Sequence, residues 1–224
     1  MIHVVFADFS SSFEEEDERI ASLVNRLGSN LGCTFSRVSV RGGRGQLDAE
    51  LSAHRAQDVR IMPLLVQEGH SYQLLLETGC RCGRPLLSGS HDIMRVASIL
   101  SSTFERKPDT GHVIVAHGRE DVHVDQLDAL SHAMRDDMRL VTLKGAPGFD
   151  AHAFSMRNLV VVPLLLTCGH HARNDIAMSI VPALECAGHD VTMVECGLLG
   201  LSSGFEAMFK EHLEDLVSEE HGDR

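Results

Sequence analysis

Residues 160–175 read V-V-V-P-L-L-L-T-C-G-H-H-A-R-N-D, and the reading of this stretch decides the fold. The run 160–166 is continuously β-branched or leucine, the pattern of a strand covered on both faces, and Gly169 then allows the backbone to turn. Two adjacent histidines follow, His170 and His171. Beyond them Ile176, Ala177, Ile180, Ala183 and Leu184 recur at helical spacing. Imidazoles thus stand at the carboxyl edge of a buried strand, just ahead of a helix, and that is the edge at which open α/β sheets bind ligands.

Working outward, the same alternation of strand and helix fills the chain. Residues 2–7 form a first strand ending at Asp8. Ser12 and Glu15 read as a capping box for an amphipathic helix carrying Ile20, Leu23, Val24 and Leu27. Strands are expected at 34–40, 59–66 and 85–87, with helices at 47–57, from 70 and at 92–104, and residues 107–111 read as a linker. The order then repeats, with strands at 112–116, 139–143, 160–166 and 190–195 and a last amphipathic helix from about 204 to 217. Pro63, Leu64, Leu65, Gly69 and His70 match Pro163, Leu164, Leu165, Gly169 and His170 at a constant spacing of 100, and residues 4–8 match 113–117 at a spacing of 109. The expectation is an α/β protein of two pseudo-symmetric, doubly wound parallel-sheet domains, 1–106 and 107–224, facing across a cleft on which Asp8, His70, His117, His170 and His171 converge.

Composition narrows the function. A net charge of −12 with scattered Lys and Arg opposes nucleic-acid binding, and no apolar run reaches membrane-spanning length. The chain opens on a strand rather than a basic leader, and its six irregularly spaced cysteines suit reduced thiols, so a cytoplasmic protein is expected. Cys80-Arg81-Cys82 is a lone C-x-C pair, more in keeping with free cysteines than with a soft-metal site. The compositional excess is fourteen histidines. His117, at the end of one strand, and the His170/His171 pair, at the end of another, are the residues a fold could bring to one transition-metal ion, with coordination positions left open for an incoming ligand.

H-V-I-V-A-H-G at 112–118, followed by P-L-L-L-T-C-G-H-H-A-R-N-D at 163–175, resembles the two histidine motifs of the class II chelatases, specifically the anaerobic-type sirohydrochlorin cobaltochelatases. The resemblance implies a lyase that inserts Co(II), with Fe(II) or Ni(II) as substitutes, into the tetrapyrrole sirohydrochlorin on the way to cobalamin. The metal would be a substrate, and no organic cofactor is expected. His117 and His171 fall on the family's metal-binding and catalytic histidines. Where the family carries an acidic ligand in an E-G-x-P loop, this chain has Lys144-Gly145-Ala146-Pro147, and His170 is the candidate third metal ligand. Arg173, beside the motif, is expected to meet substrate carboxylates, as Arg119 or Arg41 could, with Gly118, Gly169 and His70 also on the substrate side. The other reading is a non-catalytic paralogue that binds a tetrapyrrole, haem or a metal ion. Oligomeric state is left open, a homo-oligomer included.

Overall fold

The computed structural model describes residues 2–9, 13–29, 31–41, 43–54, 58–120 and 124–218, without the His171 side chain. Two compact units emerge, Met1–Ser88 with Gly204–Arg224, and Gly89–Ser203.

In the first unit, β1 (Ile2–Asp8) lies between β2 (Thr34–Ser39) and β3 (Asp58–Pro63), and β4 (Arg81–Cys82) extends the sheet in the order β2-β1-β3-β4, all parallel. Strand alternation sends Val5 and Ala7 to the face covered by α2 (Gly45–Ala53) and α3 (His70–Leu76), where they pack with Ile61, Leu47 and Leu75. The opposite face receives α1 (Glu14–Gly28). There Arg37 of β2 bridges the fully buried Asp8 (2.7 Å) and Asp17 of α1 (2.7 Å). Asp8 is therefore committed to a structural ion pair. Four acidic residues in the first turn of α1 suit the positive end of its dipole. Its N-cap is Phe13 with no side-chain cap bond, and the Ser12 of the expected capping box lies outside the described residues.

The second unit repeats the plan. Its elements are α4 (Ser90–Thr103), β5 (Thr110–Gly118), α5 (Asp125–Ala133), β6 (Met138–Lys144), a 3₁₀ turn (Ala151–Ala153), β7 (Asn158–Pro163), a π-helical segment (His171–Ile180), α6 (Val181–Cys186), β8 (Asp190–Met193) and α7 (Leu198–Leu201). The parallel sheet runs β6-β5-β7-β8, the same order as the first. Val113, Val115, Leu159 and Val161 pack under Ile176, Ile180 and Leu184. Each large side chain buried in this way contributes about 1.5–3 kcal/mol.

Three expectations need correction. The fourth strand is Arg81–Cys82 rather than 85–87. The C-x-C pair therefore lies in and beside a strand, with Cys82 packed against the first core and its thiol pushed up to about 12 by burial, then by Cys80. An unreactive thiol is the consequence. The repeat is also one residue out of the register read from sequence. Ala7 pairs with Pro63 and Val115 with Pro163, and Val5 and Ala7 occupy the core positions of Val113 and Val115. Since side chains alternate with period two, that single step matters, and it makes His117 the counterpart of Phe9, not of Asp8. Finally, the halves 1–106 and 107–224 differ from the observed units at two helices. The apolar stripe of α4 joins the second unit, where Arg135 donates to the carbonyls of Ser101 and Phe104. In turn α8 (Ser203–Ser218) joins the first, where the buried Arg60 of β3 donates to the carbonyls of Leu216 (2.6 Å) and Val217 (3.2 Å).

Candidate functional site

In the second sheet the chain leaves β5 toward β6 on one side and later enters β7 on the other, so the β5/β7 boundary is a topological switch point. Loops diverge there and leave a crevice at the carboxyl edge. His117 ends β5 and the His170/His171 pair follows β7, which brings both motifs to this boundary. The equivalent boundary in the first sheet carries His70, exposed at the start of α3.

His117 is half-buried, and its Nδ1 lies 3.0 Å from the carbonyl oxygen of Gly118. A carbonyl can only accept, so Nδ1 carries the proton and Nε2 is the lone-pair nitrogen of the neutral ring. This is the tautomer a metal ligand needs, with its second nitrogen oriented by the backbone. Two glycines let the chain approach closely enough to hold this arrangement. Gly118 has φ +68°, and a Cβ there would stand 2.0 Å from the Lys144 carbonyl oxygen. Gly145, at φ +79°, would place a Cβ 1.8 Å from the Arg119 carbonyl oxygen. Thr142 closes the β6 end, its amide donating to the Pro147 carbonyl at 2.9 Å and its hydroxyl within 3.2 Å of the Gly145 carbonyl oxygen.

After β7, the amide of Leu164 still donates to Val115 (2.8 Å), and residues up to the buried Gly169 turn the chain into the π-helical segment. Such winding is unusual and concentrates at functional sites. His170 is exposed, with the Asn174 amide nitrogen 2.9 Å from its Nδ1. His171 opens the segment. Arg173 is exposed, with its Nε 3.4 Å from the Cys168 carbonyl, so its guanidinium stands at the rim beside the motif.

Lys144 is paired in register with Gly118 and therefore does lie at this edge, with its Nζ 3.2 Å from Glu120 Oε1. Sequence reasoning missed Glu120 and Thr142, and named Gly145 only as part of the loop that departs from E-G-x-P. The glycine of Lys144-Gly145-Ala146-Pro147 was the one signal available, because only a positive φ or a close approach demands it there.

The profile of the cobalt chelatase (CbiK) family matches residues 65–218. The chain belongs to that family. Among curated proteins, this chelatase is 27% identical to the sirohydrochlorin cobaltochelatase of Salmonella typhimurium, over 75% of its own length and 72% of the relative's. Solved structures share the fold at lower identity. SirB from Bacillus subtilis with Fe3+ superposes with a TM-score of 0.69 at 10% identity, covering 97% of this chain and 96% of that one. CbiX, described as the terminal enzyme for biosynthesis of sirohaem in denitrifying bacteria, gives 0.62 at 18%, covering 97% and 99%. Both expectations, the α/β fold of two parallel sheets and the class II chelatase family, hold. No helix among the described residues is long and apolar enough to cross a membrane.

Proposed function

We propose that this chelatase inserts Co(II) into sirohydrochlorin, with Fe(II) or Ni(II) as alternative substrates, as a cytoplasmic lyase of the anaerobic route to cobalamin. The observation that carries the reading is His117, half-buried at the β5/β7 switch point with Nδ1 tied to the Gly118 carbonyl, in a chain 27% identical to a sirohydrochlorin cobaltochelatase. Insertion replaces two pyrrole N–H protons by one divalent ion, and the ion sheds water as the ring nitrogens bind. His117 and His171 hold the ion through neutral imidazoles, and His170 completes the set. An imidazole that has handed the ion to the ring takes one pyrrole proton, and water takes the other. Arg173 pairs with substrate carboxylates, Gly118 and Gly169 let the ring approach the backbone, and His70 lies on the substrate side. The metal chemistry is thus assigned to the part of the half 107–224 that lies in the unit Gly89–Ser203.

Purified protein with sirohydrochlorin and Co(II), followed by absorbance, tests this. Metallated product in excess of enzyme is expected. His117→Ala and His171→Ala should each abolish turnover, whereas His91→Ala, whose ring is 85% exposed on α4, should leave it intact. Full activity in His117→Ala would sink the assignment. A specific observation favours the alternative, a paralogue that binds a tetrapyrrole, haem or a metal ion without turnover: at the family's acidic position stands Lys144, ion-paired to Glu120. That protein would saturate at one equivalent.

A further inference from the structure

Three histidine-motif residues leave most of the chain's histidines unexplained, and two of the remainder meet at the amino edge of the first sheet. His3 is the second residue of β1 and is 2% exposed. Helix α2 runs antiparallel to the strands, so its last turn returns to that edge with Glu50 and the C-capping His54. His54 Nε2 lies 3.1 Å from Glu50 Oε1 and His3 Nε2 lies 3.7 Å from the same oxygen. The three ligand atoms all fall within 4.8 Å of one another. Metal bonds of about 2.0–2.1 Å at tetrahedral angles separate donor atoms by roughly 3.3 Å, a value the two distances bracket.

We propose that His3, Glu50 and His54 form a second metal site, for a divalent transition ion of the Zn(II), Co(II) and Ni(II) class. Two imidazoles with one carboxylate suit these ions and not Mg(II) or Ca(II), which demand oxygen ligands. Three protein ligands leave a fourth position for water. Thr34 Oγ1 lies 2.8 Å from His3 Nδ1 and Ser36 Oγ 3.0 Å from Nε2, and hydroxyls on both sides can donate or accept, so either ring nitrogen can carry the proton; with it on Nδ1, Nε2 offers its lone pair to the ion. In the unloaded site His54 Nε2–H donates to Glu50 Oε1 (3.1 Å), and loading releases that proton or moves it to Nδ1.

The rings of His3 and His54 are stacked, with centroids 3.6 Å apart and planes 12° from parallel. An ion between them would sit outside both ring planes, so loading swings His54, half-exposed at the helix end, out of the stack while buried His3 stays. Within the first sheet the site lies at the edge opposite the carboxyl ends of the strands, about 17 Å along β1 from His3 to Asp8 at about 3.3 Å per residue. Its role is to clamp the end of α2 to β1.

Zn(II) titrated calorimetrically into the purified chain without tetrapyrrole tests the site apart from any insertion activity. Wild type should bind one equivalent more than Glu50→Ala or His54→Ala, and His117→Ala should retain that equivalent. Zn(II) should also slow amide exchange across α2 in wild type but not in His54→Ala. Both substitutions fall on the partly exposed surface of α2, and circular dichroism verifies that they fold. Equal stoichiometry in wild type, Glu50→Ala and His54→Ala, or α2 exchange indifferent to Zn(II), would overturn the proposal.

Discussion

Gly118→Ala puts the geometry around His117 under direct test. The backbone there sits at φ +68°, where an L side chain costs about 1–2 kcal/mol. The added Cβ would stand 2.0 Å from the Lys144 carbonyl oxygen and 2.6 Å from Thr142 Cβ, contacts that force backbone and not merely a flexible side chain to move. Overpacking of this kind costs about 1–3 kcal/mol, which brings the total to roughly 2–5 kcal/mol. At about 2–4 °C per kcal/mol for a chain of this size, the melting temperature should fall by roughly 4–20 °C. Thermal unfolding by circular dichroism measures it. Gly45→Ala is the control: no atom lies within 4 Å of its Cβ position, and it opens α2, so its melting point should hold or rise slightly. Metal insertion by Gly118→Ala at a temperature where the variant is folded should also be slowed, because the carbonyl of residue 118 is the acceptor that orients His117. A Gly118→Ala protein that melts within about 1 °C of wild type and inserts metal at the same rate would refute the reasoning.

Two further substitutions probe how each unit is held together. Arg60→Met removes charge-assisted bonds to the Leu216 and Val217 carbonyls, each worth about 1.5–3 kcal/mol, so urea should unfold it earlier and amide exchange in α8 should accelerate. Burial lowers the His112 pKa, with Asp137 opposing and Arg135 assisting. A His lowered in the folded state gives stability that is complete above its unfolded pKa of about 6.5 and is lost as pH falls through the folded value. The urea midpoint of wild type should therefore fall between pH 7.5 and pH 5, and the fall should be smaller in His112→Leu. An equal fall in both would remove His112 from the explanation.

Much of the molecule was legible because its signals are local. The buried run before Gly169 and the matched Pro-Leu-Leu segments gave two sheets of one plan, and the same edge carries both histidine motifs. What stayed hidden depended on pairing. The 109-residue spacing aligned Asp8 with His117 by letter, whereas the strand ladder, anchored by Pro63 and Pro163, shifts the match by one. A short edge strand such as Arg81–Cys82 has no period to detect. Glu120 and the His3–Glu50–His54 group escaped for the same reason: Glu50 and His54 share one helix, but Lys144 and His3 reach their partners only through the crossovers.

The exchange of terminal helices has a consequence for biosynthesis. Gly89–Ser203 is one uninterrupted stretch, while the first unit is made of Met1–Ser88 completed by residues from Gly204 onward. On the ribosome, the unit begun first is thus the one finished last. Its sheet emerges early, but Arg60 must wait for the Leu216 and Val217 carbonyls until the whole histidine-bearing unit has been made. During that interval the nascent chain carries a folded second unit beside an unsealed first one, and α8 is the latch whose arrival ends the period of greatest exposure to chaperones and proteases.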